Sequence, residues 1–172
     1  MAELLLSYGA DVNSQTEDLG IPVLALATFN PPLREFLLNQ SNLEIDLLDD
    51  ENYSCIDYAI EDEDVDTIQA LISHGAKCHV EDFDVLSSVM KAITTFDDEN
   101  LLLVLGMLLN CSNEFINEGN RFGATAVHFL AINPRCVYIQ IFASAIHYIG
   151  LKLHLNPHLA NVNIEKSLLI WY

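Results

Sequence analysis

The fold class predicted by this sequence is all-α, a solenoid of stacked helix-turn-helix units joined by short β-hairpin loops, and three observations predict it. Apolar pairs recur along the chain, Leu5-Leu6, Leu37-Leu38, Leu71-Ile72 and Leu108-Leu109, at steps of 32, 34 and 37 residues. A period near ~33 is the length of a helix pair that buries its apolar face only by stacking on a neighbour. Gly9-Ala10 and Gly75-Ala76 follow two of these pairs, where a left-handed glycine ends a helix at little cost. Between such marks, Val65-Ile68-Leu71-Ile72 and Leu101-Leu102-Leu105-Leu108-Leu109 repeat at three- and four-residue steps, as amphipathic helices require.

Taken in order, residues 1–13 supply only the second helix of a unit, ending in Gly9-Ala10-Asp11-Val12-Asn13. The outer faces of Leu4 and Leu5 therefore lack the polar capping repeat that solenoids need. Two expectations stand: the chain is a piece of a longer array, or Met1 is a real start and a short helix suffices. Full units follow over about 14–46, 47–79, 80–117 and 118–150, with a divergent cap over 151–172, all within one elongated domain. Helix-entry phrases recur at Ile21-Pro22-Val23-Leu24-Ala25-Leu26-Ala27, at Ser54-Cys55-Ile56-Asp57-Tyr58-Ala59-Ile60, and at Thr125-Ala126-Val127-His128-Phe129-Leu130-Ala131 after Gly123. The third unit offers no better entry than Asp84-Val85-Leu86-Ser87, and it is inferred from spacing. Ala27 and Ala59 allow close helix approach.

The phrase at 125–131 sits close to Gly-x-Thr-Pro-Leu-His-x-Ala-Ala and the other two are looser copies; together with the Gly-Ala-Asp-Val-Asn ending they make the chain resemble the ankyrin repeat family over roughly residues 1–131. The resemblance implies a non-catalytic protein-binding module that grips partners on its hairpin side. It implies that His128 orders neighbouring turns by hydrogen bonding, and it puts Cys55 in the place of the family proline, as a small buried hydrophobe.

Charge is the second informative feature. Residues 1–118 hold 24 Asp and Glu against three Lys and Arg, a balance of −21, whereas residues 119–172 hold one against four, a balance of +3. Such a field repels phosphate backbones and anionic membrane surfaces and speeds encounter with basic ones. The acids cluster: Asp49-Asp50-Glu51 and Glu81-Asp82-Asp84 at expected hairpin tips, and Glu61-Asp62-Glu63-Asp64-Asp66 and Asp97-Asp98-Glu99 at expected turns between paired helices. Stacking lines them into two ridges. These are either solvated loop ends or, at the tips, a receiving surface for a Lys/Arg-rich segment, with Asp49, Asp50, Glu51, Glu81, Asp82 and Asp84 as its contact residues.

Metal and catalytic patterns are weak. Asp50, Asn52, Ser54 and Glu61 fall at EF-hand-like spacing, but Cys55 stands where the loop needs Gly; a calcium-dependent reading predicts a melting temperature raised by calcium beyond ionic strength. His74, Cys78 and His79 have no second ligand pair at zinc spacing. No nucleophile elbow or phosphate loop is present, so neither an enzyme nor a cofactor is expected. Cys55, Cys78, Cys111 and Cys136 form no Cys-x-x-Cys pair and no apolar signal opens the chain, which fits reduced thiols in the cytoplasm, with the nucleus open. Residues 137–151 are strongly apolar but fall short of a bilayer span, so no membrane insertion is expected. The apolar tail Leu168-Leu169-Ile170-Trp171-Tyr172 packs back on the last unit or faces a missing neighbour, and self-association through apolar ends follows from the second case.

The function expected is a scaffold or inhibitor that docks a basic segment of a partner protein. The alternative is a structural piece of a larger ankyrin-repeat polypeptide, channel, membrane-anchored or enzyme-linked, whose apolar ends are normally covered.

Overall fold

The structure, a computed structural model, describes residues 1–78, 87–96, 98–111, 119–120 and 122–133. Among the described residues eight helices follow one another: α1 (Ala2–Ser7), α2 (Val23–Leu26), α3 (Pro31–Leu38), α4 (Cys55–Glu61), α5 (Val65–Ser73), α6 (Ser88–Thr95), α7 (Asp98–Cys111) and α8 (Ala126–Ile132). Helix α4 packs on α2 and on α6, and α6 packs on α8, which makes an inner row; α5 packs on α7 in an outer row. Among the described residues there is no β-strand, and the expected hairpins are tight turns with one isolated bridge, Gln15 to Pro22.

The inner helices start in a repeating frame because each is capped at the same point. Their caps are Pro22, Ser54, Ser87 and Thr125, at steps of 32, 33 and 38 residues. Five residues after each cap sits a fully buried small or apolar side chain, Ala27, Ala59, Ala92 and Leu130, and the three alanines let neighbouring helices approach closely. Sequence reading placed the third entry at Asp84–Ser87. The helix instead opens at Ser88, with the Ser87 hydroxyl accepting from the Met90 amide at 3.4 Å. Serine in the proline position and methionine in the histidine position hid that frame. The 38-residue step has a local cause: α7 begins 33 residues after α5, but runs 14 residues against the nine of α5.

Helix ends follow the expected chemistry. Gly9 and Gly75 have φ of +91° and +90°, and the next amides, of Ala10 and Ala76, bond back to Leu5 and Leu71 carbonyls at 3.0 and 3.1 Å. Each closes its helix with a left-handed residue and a five-residue back-bond.

Two buried polar networks join the units. Asp57, fully buried at the histidine position of its phrase, accepts from the Ser54 amide at 3.0 Å and hydroxyl at 2.8 Å, and from the Ser88 hydroxyl of the next unit at 3.0 Å. Lys91 of α6 points its Nζ to 3.3 Å from Asp57 and 3.4 Å from the centroid of the Tyr53 ring. In the outer row, buried Arg34 of α3 bonds the Thr67 hydroxyl and lies 3.7 Å from Asp64, the cap of α5.

Removing one member of a buried ion pair leaves the other uncompensated, so Asp57→Ala is expected to lower stability by about 3–5 kcal/mol in urea unfolding. Gly75→Ala meets no steric obstacle, only the left-handed φ, and should cost about 1 kcal/mol.

Candidate partner-binding surface

Three hairpin tips are described, and one side chain organises each. Thr16 accepts from the Ile21 amide through its hydroxyl at 3.0 Å and exchanges backbone bonds with Ile21 and Gly20. Asp49 accepts from the Glu51 and Tyr53 amides, both at 2.8 Å, while its own amide donates to the Tyr53 carbonyl. Asn120 repeats the Asp49 pattern, accepting from the Phe122 and Ala124 amides at 3.0 and 3.1 Å. Left-handed Gly20, Asn52 and Gly123, with φ of +66°, +63° and +74°, turn the chain. The first tip closes over one residue more than the others, which accounts for the 32-residue step from Pro22 to Ser54.

Adjacent units are then clamped through backbone. Asn13 accepts from the Glu44 amide at 2.8 Å, and Asp46, 33 residues later, accepts from the Lys77 amide at the same distance. Gln15 donates to the Leu48 carbonyl, and the Asp50 amide donates to the Leu19 carbonyl at 3.0 Å, tying tip to tip.

The tip acids have divided roles. Asp49 is only 8% exposed, and its second oxygen accepts from the Tyr58 hydroxyl at 2.5 Å, so its carboxylate is committed to the turn. Asp50 and Glu51 are exposed. Glu81, Asp82 and Asp84 lie outside the described residues. Sequence reading missed Glu17 and Asp18, exposed on the neighbouring tip. Their signal was available: they precede Asp50 and Glu51 by 33 residues. The Thr16 hydroxyl holds the Asp18 carboxyl below the usual carboxylate range, so this tip stays charged. No Lys or Arg lies between Thr16 and Ile21 or between Asp49 and Tyr53.

The inter-helix ridge is partly structural as well. Glu61, Asp62, Glu63 and Asp66 are exposed, while Asp64 caps α5 by accepting from the Thr67 amide at 3.0 Å. Glu63 is left-handed at φ +55°. Some loss of hydration in the turn, with the Glu61 and Asp64 charges beside it, pushes the Asp62 carboxyl up. Asp97 lies outside the described residues, and Asp98 opens α7.

The remaining chemistry-bearing residues serve the fold. Ser54, at the fifth position of the calcium-like spacing, is buried as the cap of α4, and Glu61 ends that helix, so the span is not a ligand loop. Among the described residues no three His, Cys, Asp or Glu side chains gather as a metal site; His79 lies outside them, and His74 sits on the Ala70 carbonyl at 2.9 Å. His128 Nδ1 accepts from the Thr125 amide at 3.2 Å and meets its hydroxyl at 2.9 Å, closing the start of α8. Burial pushes the Cys55 thiol up to about 12. Burial and the neighbouring Cys111 thiol raise Cys78 as well, and Cys111 donates to the Ala76 carbonyl at 3.1 Å. Cys136 and the apolar stretch 137–151 lie outside the described residues, among which no helix is long and apolar enough to cross a membrane.

No family model matches the sequence. A putative ankyrin repeat protein of fowlpox virus (strain NVSL) is 25% identical over 137 residues, which cover 78% of this chain; the chain spans about a fifth, 20%, of that relative's length. The crystal structure of an ankyrin repeat domain from Acinetobacter baumannii AYE superposes with a TM-score of 0.70 at 17% identity, over 87% of this chain and 74% of that one.

Because Asn120 builds the same turn without a charge, Asp49→Asn should stay within about 1 kcal/mol of the parent in thermal unfolding, whereas Asp49→Ala should lose about 2–3 kcal/mol. Desolvation, with Glu61 adding to it, pushes the Tyr53 phenol up to about 12, and desolvation with the Asp49 bond raises Tyr58. A phenol whose folded value exceeds its unfolded value near ~10 stabilises the fold fully below pH ~10 and loses that contribution as pH climbs toward ~12. Phenolate absorbance should therefore show at least two tyrosines fewer titrating near pH ~10 than in the unfolded chain, and Tyr53→Phe should reduce that difference by one.

Proposed function

Because this chain is an ankyrin-repeat array, we propose that it is a non-catalytic cytoplasmic protein-binding module whose hairpin tips receive a Lys/Arg-rich segment of a partner, as a scaffold or an inhibitor. One observation carries the reading: Glu17, Asp18, Asp50 and Glu51 stand exposed on two tips tied directly to each other by the Asp50 to Leu19 bond. Glu81, Asp82 and Asp84, which lie outside the described residues, are proposed as further contacts for the same segment. A solenoid offers a partner an extended face in place of a pocket, and rim charges of this kind act chiefly on association rate and salt dependence. The same field disfavours nucleic acid. Reduced thiols, Cys55 and Cys78 buried, suit a reducing compartment.

A second reading is favoured by α1, on which Leu4 and Leu5 are 54% and 57% exposed: this surface is covered by further repeats of a larger polypeptide. That reading predicts self-association of the isolated chain, relieved by Leu4→Glu with Leu5→Lys, in sedimentation velocity.

The first reading is tested by pull-down from cell extract with salt-gradient elution, using the parent chain beside a variant carrying Glu17→Gln, Asp18→Asn, Asp50→Asn and Glu51→Gln. Asp49 is left in place because it builds the turn. A partner bearing a Lys/Arg-rich segment should bind the parent, elute as salt rises and be lost from the variant. Equal retention by both chains would show that the tips only solubilise.

A further inference from the structure

The exposed apolar side chains of the inner row fall at repeating positions. Seven residues after the four caps come Phe29, Glu61, Thr94 and Ile132, all exposed, with Phe29 at 77% and Ile132 at 75%. Four residues after the caps come Leu26, Tyr58, Lys91 and Phe129. Leu26 is 53% exposed, and Tyr58 and Phe129 are half-buried. Because α2, α4, α6 and α8 are consecutive neighbours, equal distances from their caps, Phe29 falling in the turn after α2, define rows across the stack. The rows are apolar at both ends and acidic at the second unit, where Glu61 continues into exposed Asp62 and Glu63. Lys91 would reverse that charge at the third unit, but it is 5% exposed and turned onto Asp57 and the Tyr53 ring. Nothing cationic in these rows therefore opposes a basic ligand.

We infer that the inner-helix face, beyond the tips of the proposed site, takes one extended segment bearing two apolar side chains, seated at Leu26–Phe29 and at Phe129–Ile132, with a basic side chain between them placed nearer the first, beside Glu61. Packed helices lie roughly 10 Å apart. Phe29 and Ile132 are three such steps apart, about 30 Å, which an extended chain covers in about nine residues at ~3.3 Å each, with the basic residue about three residues from the first apolar one. The charge complementarity selects the cation, and the off-centre Glu61 gives the segment one direction.

The probe is a fluorescein-labelled Gly/Ser peptide with Leu at its second and eleventh positions and Arg at its fifth. A control of the same composition has the two Leu adjacent and the Arg at one end. In anisotropy titration the spaced peptide should bind about tenfold or more tighter than the control, and Phe29→Ser or Ile132→Ser should each erase about tenfold of that difference, since burying one large apolar side chain is worth about that much. Both residues are exposed, so the variants fold. Equal binding of the two peptides overturns the inference, and so does absence of binding by either. The tip variant, in which Glu61 is intact, should keep the parent's preference for the spaced peptide; loss of that preference would put the Arg on the tips and overturn the inference, while the pull-down alone decides the tip reading.

Discussion

A pair of short helices cannot bury its own apolar face, and every other feature of this chain depends on that constraint being met by the neighbouring pair in the right register. The register is set by side chains that reach into the next unit's backbone. Asn13 and Asp46 do so at equivalent positions, taking the Glu44 and Lys77 amides, and Gln15 and the Asp50 amide fix the tips beside each other. With the units held there, alanines at 27, 59 and 92 let the inner helices come close, and Ile56, Ile60, Ile68, Leu71 and Ile93 are fully buried.

Where a residue's role rested on local backbone chemistry, the sequence disclosed it. Gly9 and Gly75 could be read as left-handed helix ends because little else in the alphabet enters that region cheaply, and Thr125 with His128 could be read as a helix start. Roles that residue type alone does not signal were hidden. Asp49 looks like one more acid in a run until its four-residue turn is seen, and only the matching turn of Asn120 shows that its oxygen, not its charge, is what the turn uses. The start of α6 was missed because Ser87-Ser88-Val89-Met90 keeps the cap and loses the proline and histidine that make the phrase recognisable. Glu17 and Asp18 needed only the period to be found.

Charge and burial combine in a way composition does not convey. Residues 1–118 contain three cations, and two of them, Arg34 and Lys91, are 6% and 5% exposed and consumed by Asp64, Thr67, Asp57 and Tyr53. The third, Lys77, lies 3.8 Å from Asp46. Inside, the positive charges fasten one unit to the next; outside, the acids are left nearly unopposed. Each buried cation takes an acid with it, Arg34 with Asp64 and Lys91 with Asp57, so the balance of −21 is kept while the outer surface is left with almost no positive charge.

The long seventh helix bears on how such an array can diversify. Its additional residues come after a start that is still in phase, on the outer row, and α8 nonetheless lands beside α6 with Asn133 bonded to the Ile93 carbonyl. The first tip absorbs its additional residue in the same manner. Among the described residues the length changes fall on the outer row and at one turn end, so descendants of this gene could gain or lose codons there while the packing of the inner helices on one another is inherited intact.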